Sequence, residues 1–205
     1  MAVRDRGAIR WAVVIGLALL VAVVLAALVL QRPQGAAGGP PPGLPVGSTG
    51  GATARQAYPL AVEAAQAWQP DGRLAVASAN WRYHHGRWPD QVGWTFQFYS
   101  PATRRIALVA VEEGRAQLLR EALSPYPLPT FDEADWRVDS PEALEVWWGA
   151  GGESFMARHS EVGLAAQLRP AEGGEGRPVW TVTGLSGDRV WIVVVDGVTG
   201  ERLQD

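Results

Sequence analysis

Residues Trp11 to Leu30, WAVVIGLALLVAVVLAALVL, form a run without a charged or strongly polar side chain. Twenty helical residues rise about 30 Å, the thickness of a bilayer's hydrocarbon core. The pattern therefore predicts a transmembrane anchor over residues 11–30, with residues 1–10 as a short N-terminal tail. The next stretch, residues 31–54, is almost entirely Pro, Gly, Ala and small polar residues. It cannot bury enough apolar surface to offset the entropy of ordering, so it reads as a disordered linker. Its VGSTG lacks the preceding strand and following helix that a phosphate loop or nucleophile elbow needs.

Beyond the linker the periodicity changes twice, in the same order each time. In residues 55–123, YPLAVEAAQAW predicts a helix with Pro59 at its first position and Leu60, Ala64 and Ala67/Trp68 on one face. QPDGR ends it, and strand candidates follow. Leu74, Val76 and Ser78 alternate with small residues, and Trp94, Phe96 and Phe98 share one face. RIALVAVEE is a continuous apolar run, as in a strand covered on both faces, and AQLLREAL is ambiguous between strand and short helix. A Pro-rich joint spans residues 124–135. In residues 136–205, Ser140 and Pro141 open a second helix in DSPEALEVWWGAGG, which glycines close. FMARH and EVGLAAQLRP are weaker strand candidates, and VWTVTGL and RVWIVVVD form a hairpin around SGD.

The two halves overlay. PLAVEAA at Pro59 matches PEALEVW at Pro141, WTFQFYS at Trp94 matches WTVTGLS at Trp180, and RIALVAVE at Arg105 matches RVWIVVVD at Arg189. The mismatch between the strand matches falls in a turn, as a duplicated unit should show. The expected class is α+β: two related units, each one helix packed on an antiparallel sheet.

Composition adds the compartment. Arg4, Arg6 and Arg10 precede the apolar run and only Asp5 opposes them, which keeps the N-terminus in the cytoplasm and exports the rest. A cleaved signal peptide is the alternative, but its apolar region is ordinarily only about 7–15 residues. With no cysteine, the chain has neither a lipoprotein's acylation site nor disulfides, so its core alone must hold the exported part. Four of the 18 basic residues (Arg4, Arg6, Arg10, Arg32) and one of the 21 acidic ones (Asp5) lie at or before the membrane exit, leaving the exported part at −6. That charge provides no electrostatic footprint for nucleic acid.

Candidate chemistry is sparse. His84 and His85, adjacent, would face opposite sides of a strand, and His159 is distant, so no metal site is expected. No cysteine nucleophile or serine elbow is present, and no catalytic residue or cofactor is assigned. Trp147 and Trp148 are adjacent and cannot both face one core, so one of them is a candidate partner-binding residue. Asp196, at the end of a strand, precedes Gly197-Val198-Thr199-Gly200. An aspartic protease needs Asp-Thr/Ser-Gly twice, whereas Asp followed by Gly is ordinary turn chemistry, and Glu112 stands at the matching place in the first half.

The helix with its A-x-E-x-A-like spacing, the strands, and the closing VVVDGVTGE resemble the PepSY domain, most specifically at Val193 to Glu201. The resemblance implies two tandem PepSY-like units over most of residues 57–205, the first without the D-x-x-T-G-E ending. It implies no catalytic residues, and a turn role for Asp196, Thr199, Gly200 and Glu201. The expected protein is a membrane-anchored, extracytoplasmic, non-catalytic interaction or regulatory module. Its partners would be the bilayer, through residues 11–30, and another envelope protein, with an envelope peptidase as the class the family suggests. The alternative is a small-molecule or glycan-binding module with an aromatic groove.

Overall fold

The computed structural model describes residues 44, 51–84, 87–88, 93–173 and 176–203. The N-terminal tail, the anchor over residues 11–30 and most of the linker lie outside them. Among the described residues no helix is long and apolar enough to cross a membrane.

The fold is α+β. Eight strands form one antiparallel sheet: β1 (Arg73–His84), β2 (Trp94–Ser100), β3 (Arg105–Glu112), β4 (Arg115–Leu123), β5 (Glu161–Pro170), β6 (Pro178–Ser186), β7 (Arg189–Asp196) and β8 (Arg202–Leu203). Their order across the sheet is β4-β3-β2-β1-β5-β6-β7-β8. Each half is a meander running outward from the centre, where β1 and β5 pair from Ala77↔Leu168 to His84↔Glu161. The halves therefore do not carry separate sheets, as the expected pair of units would; they are fused into one. AQLLREAL resolves as an edge strand, β4.

Helix α1 (Ala54–Trp68) precedes the first meander, and α2 (Ser140–Trp147) and α3 (Glu153–Arg158) precede the second. Several local expectations are corrected. Pro59 lies inside α1, because a capping box starts the helix earlier: Thr53 Oγ1 accepts from Gln56 N–H and Gln56 Oε1 accepts from Thr53 N–H. The buried stripe of α1 is Ala54, Ala57, Ala61 and Ala65, each at most 2% exposed, while Leu60, Ala64 and Trp68 are only partly covered. Small helix side chains are matched to large sheet side chains, which lets the helix sit close to Phe96, Phe98 and Val109. Asp139, not Ser140, is the N-cap of α2. FMARH lies largely in α3, whose Phe155 and Met156 are buried on its inner side.

Register assigns the faces. Trp81, Leu164, Ala77, Leu168, Trp180 and Val195 lie on the helix-covered face, together with Phe96 and Val109. A bulge between Leu74 and Val76 shifts the inward set of β1 to Ala77, Ala79, Trp81 and Tyr83. On β3 only Ala107, Val109 and Val111 are buried; Ile106, Leu108 and Ala110 are partly exposed, so the strand is covered on one face.

A chain of aromatic rings crosses the midline. Trp81 meets Trp94 at 5.9 Å, Trp94 meets Trp180 at 6.1 Å, Trp180 meets Trp136 at 6.2 Å, and Trp136 meets Tyr58 at 5.4 Å. All four are edge-on, the favoured aromatic geometry. Burial, and then a hydrogen bond to Glu133, push the Tyr58 hydroxyl above its ordinary pKa, so it stays neutral. The indoles also fasten the helices. Trp94 Nε1 donates to the Ala52 carbonyl and Trp180 Nε1 to the Val138 carbonyl, each at 2.8 Å and each over 42 residues. Ala52 and Val138 each stand one residue before the N-cap of their helix. The two helix N-termini then meet: Asp139 Oδ1 accepts from both Ser140 N–H (2.7 Å) and Arg55 N–H (3.0 Å), and Ser140 Oγ accepts from Ala54 N–H. One carboxylate thus serves two positive helix ends.

Because one core spans both halves, chemical denaturation should give a single transition, with near-ultraviolet and far-ultraviolet signals coincident. Replacing Trp94 by Phe removes the side-chain donor to the Ala52 carbonyl and should cost about 1–3 kcal/mol, whereas Trp180→Phe should cost less through this bond, because Trp136 Nε1 still donates to Val138 O at 2.7 Å. Two separate transitions would show that the halves fold independently.

Candidate functional site

The turn that ends β7 is built around Asp196, whose side chain is 4% exposed. Oδ1 accepts from Val198 N–H at 2.8 Å and Thr199 N–H at 3.1 Å. Oδ2 pairs with the Arg177 guanidinium at 2.5 Å. The backbone closes the same loop, with Gly200 N–H donating to Asp196 O and Asp196 N–H to Glu201 O. Gly200 adopts φ 77°, a left-handed conformation that glycine takes without strain. Thr199 Oγ1 accepts from Glu201 N–H at 3.3 Å. All four sequence-selected residues, Asp196, Thr199, Gly200 and Glu201, belong to this one turn. Burial raises the Asp196 pKa, but the two amides and Arg177 more than offset it and hold the carboxyl below its ordinary value. Both carboxylate oxygens are thus engaged by the protein's own groups, and the side chain is almost wholly buried.

Trp147 and Trp148 separate sharply. Trp147 is fully buried, and its Nε1 donates to Trp191 O at 3.2 Å. Its ring occupies space that a β-carbon on Gly152 or Gly184 would invade. Trp148 retains part of its surface, so of the pair it alone can touch a partner. Between α2 and α3 the chain runs through a widened helical turn, Trp148–Gly152, where Gly151 takes φ 116°. A β-carbon there would meet the Trp191 ring, so these glycines kink the helix around the tryptophans where sequence predicted that they would end it.

The histidines do not converge. His84 Nδ1 lies 3.2 Å from Glu161 across the β1–β5 pair. His159 Nδ1 lies 2.7 Å from Phe155 O, one helical turn back. His85 lies outside the described residues. Among the described residues no group of three His, Asp or Glu is placed to hold a metal ion.

What sequence reasoning missed is a surface. Among the described residues no helix lies on the other face of the sheet: Ser78, Gln97, Leu108, Ala165, Thr183 and Val194 are partly exposed there and Asn80 and Arg82 exposed, while Tyr99 and Val179 towards one end are buried. On the outer strands it turns apolar, with Val190 at 50%, Ile192 at 54% and Leu203 at 38% exposure. The signal was present in the alternation of β5, where inward Val162, Leu164, Ala166 and Leu168 interleave with Gly163, Ala165 and Gln167.

No family model matches the chain, and no curated protein matches it. A solved structure from Clostridium difficile 630, described as a candidate lipoprotein, is similar with a TM-score of 0.48 at 13% identity, over 72% of this chain and 90% of that one.

Replacing Asp196 with Asn should cost about 1–3 kcal/mol in denaturant unfolding, since the turn's amides lose a charged acceptor. The sign of the pH effect follows from the depressed pKa. The carboxylate stabilises the fold above its unfolded pKa of about 4, and that contribution disappears as pH falls through the lower folded value. Melting midpoints between pH 7 and pH 2 should therefore fall less steeply in D196N than in the wild type. Parallel curves would remove Asp196 from the acid response.

Proposed function

We propose that the chain is a membrane-tethered, extracytoplasmic, non-catalytic interaction protein built from two diverged PepSY-like units, acting on another envelope protein. The observation that carries the reading is the one-sided burial of the sheet. Eight strands spaced by about 4.8 Å span roughly 35 Å, wide enough for the ~800 Å² that a stable interface takes from each partner. The face is already organised, so a partner meets a rigid surface and little ordering entropy opposes docking.

Three further features support the proposal. Tandem units accord with the repeated indole-to-carbonyl bond at one separation in both halves. The best-formed polar groups serve the backbone: Asp71 accepts from Ala102 N–H, Asp139 caps two helices and Asp196 caps the last turn. Tethering and export rest on the apolar run Trp11 to Leu30 and the arginines before it. The alternative of an aromatic binding groove gains no support, because Trp94, Trp136, Trp147 and Trp180 are at most 2% exposed.

The test is crosslinking of the native protein in its membrane, followed by identification of what co-purifies. An envelope protein should be recovered, and Ile192→Glu on the bare face should abolish the recovery while changing stability by less than about 0.5 kcal/mol. Recovery of the chain alone, together with metabolite binding by the purified protein, would defeat the reading.

A further inference from the structure

The two halves differ at a place where their shared plan would make them alike. In the second half, the turn after β7 folds back on the segment leading into α2, and the Arg137 and Val138 amides both donate to the Gly197 carbonyl at 2.9 Å. The matching Trp94 and Trp180 bonds make Gly51–Ala52 the corresponding segment of the first half. There β3 passes into β4 through the two-residue turn Glu113–Gly114, with φ of 50° and 72°. A turn with two positive φ values sends the chain straight back into the next strand, so the β3–β4 turn does not fold over the start of α1 as the β7 turn does over α2. Among the described residues the Gly51 and Ala52 amides donate to no backbone carbonyl. A cavity of about 560 Å³ lies where the second half has its turn.

The walls of that cavity are of two kinds. Leu60 and Val111 supply an apolar side, and Glu112 and Glu113 line the mouth at the hairpin tip. Glu112 is placed there by Gly93: its side chain lies across this glycine, at a position any β-carbon would occupy. Both glutamates are exposed and carry no ion pair among the described residues. The exported part around them is itself acidic. Charge complementarity therefore selects a cationic occupant, and the second half shows which backbone group fits the amides.

We infer that this cavity is a docking site for a short basic and apolar peptide segment of a partner protein. A carbonyl of the segment accepts from Gly51–Ala52 as Gly197 does from Arg137–Val138. An aliphatic side chain packs on Leu60 and Val111, and an arginine or lysine pairs with Glu112 and Glu113. The inference deepens the proposed interaction role by naming what the partner presents, and it concerns a different surface from the bare sheet face.

The probe is an acetylated hexapeptide alternating arginine and valine, titrated calorimetrically into the full chain in a zwitterionic detergent. A counterpart with glutamate for arginine serves as the control. The arginine peptide should bind with a Kd of about 0.1–1 mM and the glutamate peptide at least tenfold more weakly. E112Q/E113Q should weaken the arginine peptide by about tenfold with an unchanged melting midpoint. E142Q/E145Q, which removes two exposed acids of α2, should bind as the wild type does. Equal binding of the two peptides, or equal weakening by both pairs of substitutions, would overturn the site in favour of general charge attraction. Failure of the arginine peptide to bind the wild type would overturn it outright. A partner recovered by crosslinking at undiminished yield in E112Q/E113Q would overturn this site and leave the interaction role standing.

Discussion

Two indole N–H groups hold this structure in its arrangement. A backbone carbonyl left without a donor inside a fold costs about as much as a lost hydrogen bond, and the carbonyls of Ala52 and Val138 belong to segments outside any strand that lead into the helices. Trp94 and Trp180 reach from inner sheet positions to supply donors, and Trp136 adds a second one to Val138 O. Each bond fixes where its helix begins, hence which helix face lies on the sheet. Because the two rings also touch each other, at 6.1 Å, the placement of one helix constrains the other. The shared Asp139 cap completes the linkage. Much of the rest follows: an alanine stripe on α1 accommodates the bulky sheet, and glycines at positions 152 and 184 accommodate Trp147.

The same packing dictates which face of the sheet is exposed. Among the described residues the helices lie on one face only, and a sheet fused through β1 and β5 makes the other face continuous across both halves. Asp196 illustrates the division of labour. Its carboxylate, at the end of an apolar strand beside glycines and a threonine, has the composition of a catalytic loop. Its geometry is that of a turn, with both carboxylate oxygens engaged by two backbone amides and Arg177. Side chains that hold backbone cannot also meet a partner, so the proposed interaction is placed on surfaces the described elements leave exposed.

Much of this was legible beforehand where local rules operate alone. The inward face Trp94, Phe96, Phe98 and the hairpin around Ser186-Gly187-Asp188 follow from period-two alternation and turn chemistry, and both are present. Errors arose where two local signals competed. Proline at position 59 suggested a helix start, but the capping box of Thr53 and Gln56 satisfies more donors and begins the helix earlier. Phe155 and Met156 suggested a strand, but the glycine-rich turn before them carries the helical path onward. The bulge in β1 reversed the inward parity, and single-residue shifts of this kind leave no trace in hydrophobic periodicity.

What the sequence by itself determined is the α+β class, the helix that opens each half with the strands around Trp94, Arg105, Trp180 and Arg189, and the composition of the final turn. These depend on contacts a few residues apart, whose energies the chain encodes in place. Tertiary structure alone decided that the two meanders join into one sheet, that Trp147 is interior while Trp148 is not, and that a cavity stands beside Glu112 where the second half has a turn. Each of those depends on residues up to a hundred positions apart coming together, as β1 and β5 do. Only the packing of the whole chain brings such groups into contact, so no stretch of sequence read alone could have shown it.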